Sequence, residues 1–133
     1  LLYLDTLKLK FDVIVLSEIW TTNVNFYSNL LKDYTFIYSL PSCGNVGGVG
    51  MYVKDNLNPV VLEKHFEIAG NKNMIESLFI KIKALGKTYV VGGIYRHPNG
   101  DILEFSQVLE KVFDFVKKVE WLQLSLVTLI LIC

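Results

Sequence analysis

Apolar positions along this chain either alternate with polar ones or run unbroken for a few residues, and both patterns belong to β-strands. The run Val13-Ile14-Val15-Leu16 is β-branched and continuous, which predicts a strand over 11–17 that is covered on both faces. The stretch YTFIYSL (34–40) alternates like a strand. A glycine-rich loop at 42–48 leads into a predicted strand VGMYVK (49–54), and the turn DNLNP leads into another strand candidate, VVLEKHF (60–66). In MIESLFIKIKA the residues Leu78, Ile80 and Ile82 share one face, the core face of a further strand. TYVVGGIYR (88–96) is apolar throughout and predicts a central strand.

Helical spacing recurs in two places. Val24, Tyr27, Leu30, Leu31 and Tyr34 predict a helix, with Thr22 or Asn23 as its cap. After Pro98, Asp101 and Glu104 have the spacing of a capping box. Phe105, Val108, Leu109, Val112, Phe113 and Val116 then form an apolar stripe, and Lys117 and Lys118 complement the C-terminal dipole. Residues 1–10 read as the end of a helix feeding the first strand. Strands and helices are mixed, with hairpin-like neighbours between 49 and 96, so the pattern predicts a layered α/β (α+β) domain without repeats.

Composition narrows the picture only a little. A length of 133 residues suits one domain with one core. Thirteen basic and thirteen acidic side chains cancel, so there is no overall basic footprint of the kind nucleic-acid binders carry. A local basic groove is still compatible with that balance. The two cysteines, Cys43 and Cys133, make neither a disulfide framework nor a metal set, and they suit a reducing, intracellular setting. The N-terminal residues do not form a signal peptide, and the missing initial Met leads us to expect a fragment. The apolar tail after Leu122 is shorter than the roughly 20 residues that cross a bilayer, so no membrane partner is expected.

Few residues stand out as chemistry. Glu18 ends the first strand, where α/β folds tend to place ligand sites, but from these residues alone a solvated or turn-capping glutamate is the preferred reading. Glu76 is in phase with Leu78, Ile80 and Ile82, so it needs hydrogen-bond partners, either in a structural network or beside a site. Gly47 and Gly48 precede a strand rather than a helix, which points to backbone geometry and not to phosphate binding. His65 reads as surface and His97 as a loop histidine.

Taken in order, the segments DVIVLSEIW, GNVGGVGMYVK, IESLFIKI and VVGGIYRHP, followed by a helix, resemble the endonuclease/exonuclease/phosphatase superfamily. They look most like the endonuclease domain at the front of non-LTR (LINE-type) retrotransposon reading frames, over residues 1–118. The resemblance implies a two-sheet β-sandwich flanked by helices, here lacking its first strand and C-terminal third. It makes Glu18 the catalytic and metal-ligating carboxylate for Mg²⁺ (or Mn²⁺), a hard cation that prefers oxygen ligands. It makes Tyr95 a catalytic residue that hydrogen-bonds the scissile phosphate or orients the site. Arg96 becomes a phosphate-binding candidate, with a surface ion pair as the equal alternative. The implied partners are DNA and, in the full element, a fused reverse transcriptase.

Other family residues are missing: an Asn on the first strand, a Gly-Asp-x-Asn motif and an Asp-His pair. The expectation is therefore a target-site-nicking endonuclease fragment that is itself inactive and binds metal poorly. The alternatives are a non-catalytic binding remnant and a small phosphodiesterase of another branch. Open sheet edges would also favour non-specific self-association.

The tail WLQLSLVTLILIC occupies the place where the family carries Gly-Asp-x-Asn. An ordinary buried strand over 124–132 is one account. A one-base frameshift is the other, because codons for residues 125–133 can be chosen that read Ile-Ile-Gly-Asp-Ile-Asn-Ile-Asp-Leu when started one base earlier. On that account 119–133 is out of frame. Sequencing the locus is expected to reveal Gly-Asp-x-Asn in an alternative frame, and nucleotides that encode it in neither frame reject the frameshift.

Overall fold

The computed structural model describes residues 10–20, 23–41, 46–62, 75–120 and 126–132. Three strands form one antiparallel sheet: β1 (Val13–Ser17), β2 (Tyr34–Ser39) and β3 (Val49–Lys54), in the order β1-β3-β2. The second sheet has the order β4-β5-β6-β7, with β4 (Val60–Val61), β5 (Ile75–Ala84), β6 (Lys87–Arg96) and β7 (Leu126–Ile132). β5 and β6 pair antiparallel over their full length, whereas β7 runs parallel to β6. A parallel neighbour requires a crossover connection. The helix α2 (Ile102–Glu120) lies in that connection, and a single helical turn, α1 (Asn25–Ser28), follows β1.

The sheets meet through the inward faces of three strands. Val49, Met51 and Val53 of β3 pack with Leu78, Ile80 and Ile82 of β5 and with Val91 and Tyr95 of β6. Alternation sends the intervening residues outward, where Phe79, Val90 and Ile94 meet Phe105 and Val112 of α2. On the far side Ile19, Phe36 and Tyr52 pack under Tyr27, Leu30, Leu31 and Tyr34. β3, β5 and β6 are thus covered on both faces, which explains their nearly unbroken apolar sequences. The expected fold class and a central strand at 88–96 are both found.

Several details differ from expectation. The helix expected from Val24 to Tyr34 is one turn long, and Tyr34 opens β2 instead. Ser28 Oγ and the Asn29 side-chain amide donate back to the carbonyls of Val24 and Asn25, at 3.1 and 3.0 Å, bonds that compete with helix continuation. Val24 is the N-cap and makes no side-chain cap bond, so Asn23 is not the cap; Thr22 lies outside the described residues. Residues 1–9 of the helix expected over 1–10 and His65 also lie outside them, as does most of the expected strand 60–66.

On α2 the Asp101 half of the expected box is found: Asp101 Oδ1 accepts from the amides of Leu103 (2.6 Å) and Glu104 (3.3 Å). The buried stripe contains Phe105, Val108 and Val112, but Phe113 is 46% exposed while Phe115 packs against the core. Alternating steps of three and four from 105 run through 108 and 112 to 115, and they leave 113 on the flank.

The sheets approach closely at Gly93. A Cβ added there would sit 2.8 Å from Val15 Cγ1 and 3.0 Å from Val49 Cγ1. A Gly93→Val substitution is therefore expected to cost about 1–3 kcal/mol through overpacking. Chemical denaturation followed by circular dichroism measures it, and an unchanged midpoint would contradict this packing.

Candidate active site

β1 ends at Ser17, opposite Val49, and the chain then turns sharply. Glu18 and Trp20 both have positive φ, 53° and 48°, a region that residues other than glycine adopt at a cost. Ile19 between them is buried and fills the space above Gly48, where an added Cβ would lie 2.6 Å from Ile19 Cγ1. The Trp20 amide donates to the Gly47 carbonyl at 3.1 Å. The turn therefore exposes the Glu18 carboxylate while its neighbour anchors it in the core.

Tyr95, next to last on β6, comes from the other sheet. Its hydroxyl donates to Glu18 Oε1 at 2.5 Å, and the ring is buried. Burial pushes the phenol up to about 12 from its ordinary 10.0, helped by the hydrogen bond to Glu18 and by the charges of Glu18 and Glu76. Tyr95 is thus a fixed, neutral donor across the whole physiological range.

Directly opposite Tyr95 in register lies Glu76 of β5, 3% exposed. Its Oε2 accepts the Gly48 amide, and its Oε1 lies 3.2 Å from His97 Nε2. With Glu76 ionised, His97 is the donor of that bond. The His97 ring stands edge-on to Tyr95, with centroids 4.9 Å apart. Gly47 and Gly48 have φ of 102° and 88°, and a Cβ on Gly47 would come within 2.8 Å of both Glu76 Oε2 and His97 Cε1. The glycines do serve backbone geometry, and their loop is clamped by a buried carboxylate.

The reading of His97 as a plain loop residue needs correction. It is buried and belongs to this network, because β6 alternation returns residue 97 to the face of Tyr95. The Glu76–His97 pairing was missed in the sequence. The signal for it was there: a carboxylate in phase with the core, and a histidine two residues beyond Tyr95.

Arg96 goes the other way. Its guanidinium lies over the Phe105 ring of α2, 5.9 Å from the centroid. Nη1 donates to the carbonyls of His97, Pro98 and Gly100 at 3.2, 3.4 and 2.9 Å, and Nε is buried without a partner among the described residues. Glu18 and Tyr95 are brought together; Arg96 is on the opposite face of the sheet and is not. It ties down the 97–100 turn rather than joining an exposed ion pair.

Glu18 could serve Mg²⁺ as one ligand, since a hard cation takes carboxylate oxygens and Glu18 is exposed at the strand end. A complete site needs near-octahedral oxygen coordination. Among the described residues no three or more His, Cys, Asp or Glu side chains gather to hold a metal ion.

No protein-family model matches the chain, and no curated protein matches it in sequence. Solved structures do match it. A humanized D. rerio TDP2 superposes with a TM-score of 0.65 at 16% identity, over 86% of this chain and 48% of its own. D. rerio TDP2 complexed with a single-strand DNA product gives 0.65 at 17%, over 86% and 44%. The human Nocturnin catalytic domain, with bound sulfate, gives 0.55 at 14%, over 98% and 53%. The chain has the endonuclease/exonuclease/phosphatase fold, and it spans about half the length of these proteins.

Because the folded-state value for Tyr95 is raised above the unfolded one, its contribution to stability is full below pH 10.0 and is lost as pH rises through about 12. Thermal melts across that window are expected to fall less steeply for Tyr95→Phe than for the parent chain. Equal slopes would mean that Tyr95 ionises normally.

Proposed function

We propose that this chain carries part of a divalent-metal-dependent phosphodiester-hydrolysing centre that acts on DNA, of the LINE-type retrotransposon endonuclease class. The observation that carries the reading is the hydrogen bond from Tyr95 to Glu18, which joins the ends of two strands from different sheets. A DNA substrate is supported by the D. rerio TDP2 neighbour, which is complexed with a single-strand DNA product.

Glu18 would hold Mg²⁺ or Mn²⁺ as a carboxylate ligand, and the ion when bound would supply charge stabilisation to a phosphoryl oxygen. Tyr95, neutral at working pH, fixes the orientation of that carboxylate, and it would donate to a bound phosphate only by releasing Glu18. Arg96 would contribute to phosphate binding only by giving up carbonyls of the 97–100 turn. His97 is committed to Glu76 and is not placed as a general base. With no Gly-Asp-x-Asn motif and no Asp-His pair in the sequence, the residues for activating water and stabilising the leaving oxygen are missing. The full element, with its reverse transcriptase, belongs to the same proposal.

The chain alone is accordingly expected to leave supercoiled plasmid intact with Mg²⁺ or Mn²⁺, at the level of a Glu18→Ala control. Nicking that disappears in Glu18→Ala would show that the chain holds a complete centre and would overturn the proposed inactivity.

A further inference from the structure

Trp20 stands out in this region because three observations converge on it. It is 58% exposed, although it directly follows a residue that is 2% exposed. Its φ of 48° is an outlier for a bulky side chain. The peptide group that joins it to Ile19 is held on both sides: its amide donates to Gly47, and its carbonyl, that of Ile19, accepts the Tyr27 hydroxyl at 2.8 Å. Strained backbone persists where the surroundings determine it from several sides, and such positions cluster at binding sites. Here Ile19 inward and Trp20 outward are two results of one turn. The indole is therefore presented to solvent on a fixed backbone, at most ~7 Å along the chain from Glu18.

We propose that Trp20 is a stacking platform for an unpaired nucleobase beside the Glu18–Tyr95 site. The inference rests on the nucleic-acid reading above and goes beyond it by naming a base-binding residue. Every base has a π-face, so a large aromatic ring accepts any of them, and a fixed backbone lowers the ordering cost of binding. It also gives this protein of zero net charge a contact with nucleic acid that does not depend on phosphate charge. The expected preference is for single-stranded or unstacked DNA, whose bases are free to leave their neighbours.

The test uses the full chain carrying Trp121→Phe, which leaves Trp20 as the only tryptophan. A short single-stranded oligonucleotide is expected to quench its fluorescence, and a fully abasic strand of equal length and charge is not. By fluorescence anisotropy of the labelled oligonucleotide, Trp20→Ala in the otherwise unaltered chain should bind roughly 5- to 150-fold more weakly. Trp20→Phe should keep most of the affinity, and it guards against a loss caused by misfolding of the alanine variant. Oligonucleotide binding with no quenching and no dependence on Trp20 overturns this inference and leaves the nucleic-acid reading standing. Failure to bind any nucleic acid overturns both.

Discussion

The end of the sandwich that carries the candidate site is organised around one buried carboxylate. Glu76 lies between the sheets, where an ionised group is tolerated only if its oxygens are filled. The Gly48 amide and His97 fill them. That requirement propagates outward. The amide can reach only because Gly47 and Gly48 take positive φ, and the carbonyl of Gly47 then receives the Trp20 amide. The turn after β1 is fixed in this way, and with it the position of Glu18. Removing the Glu76 carboxylate would leave a buried amide unpaired, at a cost of about 1–3 kcal/mol, and would loosen the turn that Glu18 occupies.

Strand alternation then divides the chemistry of three consecutive residues. Tyr95 and His97 face the other sheet, and Arg96 faces α2. As a result Glu18 is met by a neutral phenol and not by a guanidinium. A phenol that stays protonated to about pH 12 orients the carboxylate without neutralising it. Such a carboxylate is suited to a cation and repels a phosphate unless a cation lies between them. That charge arrangement favours the proposed metal reading over a phosphate pocket.

What the sequence revealed depended on how local each cause was. β3, β5 and β6 were legible because a two-residue period and unbroken apolar runs record burial directly. The cap and most of the stripe of α2 were legible for the same reason. The segment after β1 misled because Val24, Tyr27, Leu30 and Leu31 have helical spacing, yet a single turn and a loop bury them equally well. Glu18 could be singled out only through the family resemblance, since a glutamate at a strand end has no local signature. The partnership of Glu76 with His97 needed the β5–β6 register, which places residue 76 opposite 95. The facing of Arg96 needed the identity of the core side, and VVGGIYR is apolar on both sides.

The same register bears on the proposed metal site. β7 runs parallel to β6 and ends with position 132 opposite Tyr95. Whatever residue stands there is delivered to the end of the sandwich that holds Glu18 and Tyr95. The sequence has isoleucine at 132, within a run of Leu, Val, Thr and Ile that carries neither a carboxylate nor an amide side chain. A sandwich needs only apolar β-formers in this strand, and the run Leu126–Ile132 is composed of such residues. Metal chemistry needs more: a hard oxygen ligand at the end of the strand, on the side of Glu18. The two demands are separable, so a change of reading frame or ordinary drift can satisfy the first and abolish the second. The fold would tolerate such a loss because the cores around β5, β6 and α2 contain no carboxylate.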